Sequence, residues 1–407
     1  MKPELDASLQ QPAGDPAVWP LDPAVCFLNH GSFGSCPRPV LQFQQELRAR
    51  LERQPVRFFV RDWEGLWDEA RHELAQFLQA DPDGLVFVPN ATAGINAVLR
   101  SLRFTPEDEL LVTDHEYNAC ANVLKFVAEM SGARVITVAI PFPLRDPEEI
   151  IPAILERVTR RTRLALLDHV TSQTGLILPL PRLVAALAER GVDTLVDGAH
   201  APGMLPLDLN SLGAAYYTGN CHKWLCAPKG AAFLVARADR RAGLRPPVIS
   251  HGANSPRTDR SKFLIEFGWM GTGDPTPSLC VPEAIRFLRA LLPGGWPAIQ
   301  ERNRRLALAA RAVLCQALEQ TPPAPEECIG SLVSLPMPDA ESSEPSRSPL
   351  YLDPLQDELL NRYSIEVPII PWPQPPQRLL RISAQLYNSL PQYRHLASAL
   401  RELLHRQ

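Results

Sequence analysis

Leu195-Val196-Asp197-Gly198-Ala199-His200 and, about one strand-helix unit further on, Thr218-Gly219-Asn220-Cys221-His222-Lys223-Trp224 are the stretches from which the fold is read. In the first, an apolar run ends on an acid, with a small residue and a histidine behind it. A carboxylate at a strand tip can hold a cationic ring nitrogen, although such an acid by itself also reads as a helix cap or a loop residue. In the second, Ala214-Ala215-Tyr216-Tyr217 leads into a lysine set among glycine, aromatic and apolar residues. An amine whose charge is poorly solvated gives up its proton more readily, which is what a Schiff-base lysine needs. A lone lysine is usually a solvated surface charge, and Lys229 in the glycine-proline loop beyond is the second candidate.

Outward from these stretches, short apolar runs alternate with helical periodicity. The runs Leu85–Val88, Glu109–Val112, Arg134–Val138, Leu164–Asp168 and Thr194–Val196 read as strands, separated by expected helices near Ala93–Arg100, Asn118–Ser131, Glu148–Thr159 and Pro181–Glu189. Upstream, Leu47, Leu51, Leu66, Ala70, Leu74 and Phe77 recur at three and four positions and predict two amphipathic helices between Pro39 and Leu78. The alternation predicts an α/β fold with a mostly parallel central sheet flanked by helices. In such sheets ligands sit beyond the carboxyl ends of the strands. That rule selects Asn90–Thr92, Asp114–Asn118, His169–Thr174, Asp197–His200 and Thr218–Lys223. Asn90-Ala91-Thr92-Ala93-Gly94 opens a helix and offers backbone amides and a hydroxyl to an anion, or else is a plain capped helix start. It has neither GxGxxG nor Walker spacing.

After about Asp274 the pattern changes to long helices (Val281–Leu291, Ala298–Glu319), a proline-rich stretch and strand-like segments at Cys328–Leu335, Ser364–Ile370 and Leu379–Ile382. A smaller α+β C-terminal domain is expected. The predicted divisions are an N-terminal arm over 1–30, a large cofactor-binding domain over 31–280 and the small domain over 281–407. A chain of 407 residues is long enough for two domains. A net charge of -4 leaves no basic excess to neutralise nucleic acid or an anionic membrane. The eight cysteines contain no CxxC pair and suit neither a disulfide framework nor a zinc ribbon, so no metal is expected. The start of the chain has no basic region followed by an apolar run, and a cytoplasmic location is expected.

An acid and an amine so placed suit pyridoxal 5'-phosphate (PLP): Asp197 on the pyridine nitrogen keeps the ring an electron sink, and Lys223 carries it as a Schiff base. Phe27-Leu28-Asn29-His30-Gly31-Ser32-Phe33-Gly34, Asn90-Ala91-Thr92, His115-Glu116-Tyr117-Asn118, Asp197-Gly198-Ala199-His200 and Asn220-Cys221-His222-Lys223-Trp224 resemble the fold-type I PLP enzymes of the class V aminotransferase group. Within it, the chain is similar to the isopenicillin N epimerase-like branch. The resemblance implies that Lys223 shuttles the α-proton. Thr92, Asn220 and His222 would hold the phosphate with the amides of Ala91 and Ala93. Ser172 and His200 would lie near the ring hydroxyl, and Tyr117 rather than His115 would stack on the ring. Asn29, His30 and Arg381 would face the amino-acid substrate, the arginine fork gripping its carboxylate. Phe267-Gly268-Trp269-Met270-Gly271-Thr272-Gly273 resembles a segment that enters the neighbouring subunit's site, which implies a homodimer with Thr272 reaching the other phosphate.

PLP chemistry at an α-carbon leads to epimerisation, β-elimination or amine transfer according to its surroundings. No cysteine lies between Tyr363 and Arg381, where desulfurases of the group keep theirs. Epimerase or racemase chemistry and carbon-sulfur β-elimination are therefore the main expectations. Epimerisation needs a second acid on the opposite face, for which Tyr217, His30 and Tyr117 are candidates. An aminotransferase and a chain that binds PLP without catalysis are the remaining alternatives.

Overall fold

A computed structural model of the chain describes residues 7–343, 350 and 353–404. Its strands are β1 (Cys26–Phe27), β2 (Leu85–Val88), β3 (Glu109–Thr113), β4 (Arg134–Val138), β5 (Thr162–Asp168), β6 (Asp193–Asp197), β7 (Tyr216–Asn220), β8 (Ala232–Ala236), β9 (Leu332–Met337), β10 (Ile365–Glu366), β11 (Ile369–Pro371) and β12 (Arg378–Ser383). The largest sheet has seven strands in the order β2-β8-β7-β6-β5-β3-β4. Side chains alternate along a strand, so a run that is apolar at every position must be covered on both faces. Val86, Val88, Leu164 and Leu166 accordingly face one core, while Leu85, Phe87, Ala165 and Leu167 face the other. The helices Ala91–Ser101 and Asn118–Ser131 cover the first face, and Leu180–Ala188 helps cover the second. Truncating one such position, as in Leu166→Ala, would cost about 2–5 kcal/mol through lost burial and the cavity left behind.

The pairs β3–β4, β3–β5, β5–β6 and β6–β7 are parallel, and β8 runs antiparallel to both β7 and β2. The reading of the sequence assigned no strand at Ala232–Ala236. Its presence matters, because the loop that carries Lys223 is thereby a connection between two paired strands. Asn220 is in register with Ala232, and Cys221 N–H donates to Ala231 O at 3.0 Å. The lysine is thus held from both ends of its loop. Registers across β5, β6 and β7 place Asp168 opposite Asp197 and Asp197 opposite Thr218, so these strand tips lie level.

The smaller sheet is antiparallel, in the order β11-β12-β9, and β1 pairs in parallel with β10. The segment just before His30 is therefore built onto the C-terminal part of the chain. Two expected elements differ. The predicted helix Glu148–Thr159 contracts to Ile150–Leu155, because Asp146 accepts from Glu148 N–H and holds Pro147–Glu149 as a tight turn before it. Cys328 lies in the turn Glu326–Cys328 and not in the strand, which starts at Leu332. No helix among the described residues is long and apolar enough to cross a membrane.

Candidate active site

Asp168, Asp197 and Asn220, the last residues of β5, β6 and β7, open onto a cavity of about 390 Å³. Of the residues singled out in the sequence, Ala91, Thr92, Tyr117, Ser172, Asp197, His200, Asn220, His222 and Lys223 line it. Ala93, Asn29, His30, Arg381 and Thr272 do not. Two glycines let the wall form. A Cβ on Gly34, at φ 71°, would lie 2.2 Å from His222 O, and one on Gly203, at φ 87°, would lie 2.6 Å from Trp224 O. Both turns press against the lysine loop at a distance that only glycine permits.

Burial lowers the pKa of Lys223 to about 7; the Arg381 charge adds to this and the Asp197 charge opposes it. Its amine sits 3.0 Å from His200 Nε2. Period two along β6 puts Asp197 on the side of Leu195, facing the helix Asn118–Ser131. Cys120 there donates its thiol proton to Asp197 Oδ2 at 3.1 Å, and Ala199 N–H donates to Oδ1 at 2.9 Å. Desolvation raises the pKa of Asp197 against these hydrogen bonds. Glu116 and Asp168 stand close by and are raised well above the ordinary carboxyl range, by burial first and by neighbouring acids second. Glu116 Oε2 and Asp168 Oδ2 have no hydrogen-bond partner among the described residues.

At the start of the helix Ala91–Ser101, Asn220 Oδ1 accepts from Ala91 N–H at 2.9 Å and Asn90 Oδ1 accepts from Ala93 N–H at 2.8 Å. Both amides expected to face a phosphate are therefore engaged by side chains, while Thr92 stays on the wall. His222 donates through Nδ1 to Ala231 O at 3.1 Å, and burial lowers its pKa to about 4. An anion beside it would have to restore that proton before Nε2 could donate.

Arg381 approaches from β12 behind the wall. Its Nη1 donates to Ser172 O at 2.6 Å and its Nη2 to Ser32 Oγ at 2.8 Å, both on residues that line the cavity. Asn29 lies one layer further back: it accepts from Ser32 Oγ at 2.6 Å and donates to Glu366 Oε1 at 3.3 Å. His30 is also withdrawn. Its Nε2 donates to Lys223 O at 3.1 Å, its Nδ1 accepts from Tyr387 at 2.8 Å, and burial lowers its pKa to about 3. Tyr217 is paired with His169 Nδ1 at 2.8 Å beneath the wall. His115 is buried between Phe142 and Trp372 and bonded to Thr174 and Ile140. Of the three candidates for a second acid, Tyr117 lines the cavity and His30 and Tyr217 do not. Ser32 and Asp168 also line the cavity and were not singled out as site residues, whereas Glu116 falls within the selected stretch Asp114–Asn118 without lining the cavity. Asp168 carried a signal, since it ends an apolar run, but the strand-tip rule was applied starting one residue later.

PLP fits this wall by charge and by chemistry. A desolvated amine close to its free-base form meets a carboxyl cluster whose electrostatic balance calls for a cation, and a helix start stands on the same cavity. A protonated ring nitrogen supplies such a cation, and a phosphate suits the positive end of the helix dipole beside Thr92, although the Ala91 and Ala93 amides are already capped.

The family model described as aminotransferase class V matches residues 40–346. Isopenicillin N epimerase of Amycolatopsis lactamdurans is 37% identical over 397 residues, covering 94% of this chain and 96% of that protein. A probable chloroplastic L-cysteine desulfhydrase of Arabidopsis thaliana is 30% identical over 407 residues, covering 94% and 84%. Among solved structures, the cystine C-S lyase C-DES in complex with its product cysteine persulfide matches with a TM-score of 0.78 at 22% identity, covering 93% of this chain and 97% of that one. In a further structure C-DES has glycine covalently linked to its PLP cofactor.

Proposed function

Because the chain belongs to the class V aminotransferase family and is a PLP-dependent enzyme of the isomerase or lyase kind, we propose that it epimerises or racemises an amino acid, or a small molecule containing one, at the α-carbon. The observation that carries this reading is that Lys223 and Tyr117 share the wall of one cavity on which no cysteine stands. PLP, when bound, supplies the electron sink that makes the α-proton acidic. Lys223 would anchor it and, as a base with a pKa lowered to about 7, remove that proton on one face, its return on the other face falling to a second acid. Asp197 would hold the ring nitrogen, and Ser172 and His200 the ring hydroxyl. Thr92, Asn220 and His222 would hold the phosphate, with Ala91 and Ala93 contributing through the capped helix start. Tyr117 would pack on the ring and serve as the acid opposite Lys223. Arg381, aligned by Ser32, would take the substrate carboxylate as Ser172 and Ser32 yield their bonds to it, with Asn29 and His30 supporting from behind. Thr272 is exposed and outside its own chain's cavity, which supports a homodimer in which it serves the other site. Free thiols throughout fit the cytoplasm.

A second reading, carbon-sulfur β-elimination, is supported by the cysteine desulfhydrase relatives, while the placement of the thiols speaks against a persulfide-forming desulfurase. Cys26 is half-buried with its pKa pushed up to about 12, and every other cysteine is buried. Sulfur released from a substrate would leave as free thiol or sulfide. A panel of amino-acid enantiomers, cysteine, cystine and sulfoxide conjugates in deuterated water separates the two. The expected result is deuterium at the α-carbon with inversion. Release of pyruvate with thiol or sulfide, and no inversion, would replace the epimerase with the lyase. Purified protein that stays colourless after incubation with PLP would sink both.

A further inference from the structure

We propose that Trp224 is a positioning residue, which sets the tautomer of His200 and so presents Lys223 as a free amine for capture of PLP; this deepens the reading of Lys223 as the anchor. An indole N–H donates and never accepts. Trp224 Nε1 lies 3.3 Å from His200 Nδ1, which makes Nδ1 the acceptor and leaves the imidazole proton on Nε2. That Nε2 lies 3.0 Å from Lys223 Nζ. An ammonium group has no lone pair to receive an N–H, whereas a neutral amine has one. The chain of bonds is therefore self-consistent in one direction, from Trp224 through His200 to an uncharged Lys223.

Among the described residues, Trp224 Nε1 has His200 Nδ1 as its hydrogen-bond partner, and His200 has Trp224 and Lys223. Trp224 and His200 are buried at 2% and 1% exposure, so water does not compete for Nδ1. Gly203, three residues after His200, brings its turn against the Trp224 carbonyl, which holds donor and acceptor together through the backbone. The titratable groups that face His200 are Lys223, Arg381, His222 and His30; Arg381 is the standing cation among them, and the other three would oppose an imidazolium only in their protonated forms. Those that face Lys223 from other elements are Arg381 on β12, Asp197 on β6 and Cys120 on the helix Asn118–Ser131. The consequence is chemical. In capture, neutral Nζ attacks the PLP aldehyde carbon, a C=N bond forms, and the aldehyde oxygen leaves as water with the two amine protons. A protonated amine has no electron pair with which to begin.

The test uses the full chain freed of PLP, with Trp224→Phe, which keeps an aromatic ring against His30 and removes the N–H. PLP uptake is followed by visible absorbance against pH. Wild-type uptake should rise with a midpoint near pH 7. In the variant, His200 can turn Nε2 into an acceptor for an ammonium, so the midpoint should move up by about one unit. Uptake at neutral pH then falls about fivefold and recovers above about pH 9. Uptake lowered equally at every pH would reduce Trp224 to packing and overturn the proposal. Nitrogen-15 NMR of the wild type, with His200 assigned by its loss in His200→Gln, should show the proton on Nε2. A proton on Nδ1 overturns the proposal even if the tryptophan variant does not fold. Wild-type protein that takes up no PLP at any pH removes the anchor reading and the proposal with it, whereas uptake with an unshifted profile removes the proposal alone.

Discussion

Two clusters of charge in this molecule contrast sharply. On the surface, Arg257 reaches Glu64 at 2.8 Å and also pairs with Asp259, while Arg260 bridges Glu64 and Asp68. Every acid there has a guanidinium; Arg257, Glu64 and Asp259 are exposed, while Arg260 and Asp68 are part-buried at the edge of the web. At the strand tips, Glu116, Asp168 and Asp197 are buried together, and among the described residues none of them pairs with an arginine. Exposed, well-paired charges contribute little to stability because water already satisfies them. Buried, poorly paired acids cost stability, and folds keep such groups where chemistry needs them. The uncomfortable cluster is therefore the informative one.

Substitutions in the two clusters can break or sharpen this contrast. The largest effect is expected at the buried amine: Lys223→Ala should lower turnover by about 10³-fold or more and abolish the visible absorbance of PLP-treated protein. Retained turnover in a kinetic assay would remove the lysine from the chemistry. Arg381→Ala should keep the colour and lose about 10–10²-fold in kcat/KM, the worth of one charge-assisted contact to a carboxylate. Unchanged substrate affinity, measured by spectral titration, would take the arginine out of the site.

Asp168→Asn tests whether the acid cluster is strained. A buried acid whose pKa is raised keeps its proton in the folded state after the unfolded chain has released it near 3.8. Its contribution is therefore intact below that pH and is lost as pH rises toward the folded value. The asparagine variant, studied without PLP, should flatten that loss and gain roughly 1–2 kcal/mol at neutral pH, read from urea unfolding. Lys223 acts with the opposite slope: between about pH 7 and 10.5 the unfolded chain holds a proton the folded one has released, so stability rises with pH. The smallest effect belongs to the surface. Arg257→Ala should shift Tm by no more than about 2 °C, and a larger shift would mean the exposed web is structurally important.

Much of the architecture was legible because its signals are local. β2 and β4 match the apolar runs Leu85–Val88 and Arg134–Val138, and the helices Asn118–Ser131 and Val281–Leu291 match their predicted bounds. Runs buried on both faces and three-four periodicity survive any detail of packing. β8 was missed although Ala231–Val235 is an apolar run, because it returns antiparallel to β7 and so lies outside the simple βα alternation. In the site, residues immediately past strand tips could be selected by rule, and the structure gathers Asp197, Asn220, His222 and Lys223 around one cavity. Asn29 and His30 fell behind the wall, since their distance from it depends on how the turn closed by Gly34 docks on the lysine loop.

The sequence by itself determined the alternation of strands and helices, the acid and amine at successive strand tips, and the absence of charge suited to nucleic acid. Tertiary structure decided the state of those groups. Asp168 meets Asp197 only through the register of β5 on β6, Arg381 meets Ser32 and Ser172 across hundreds of residues, and the proton on Lys223 depends on His200 and Trp224. Periodicity is written in neighbouring residues, whereas protonation follows burial and the direction of hydrogen bonds, which exist only once distant segments have closed around a group.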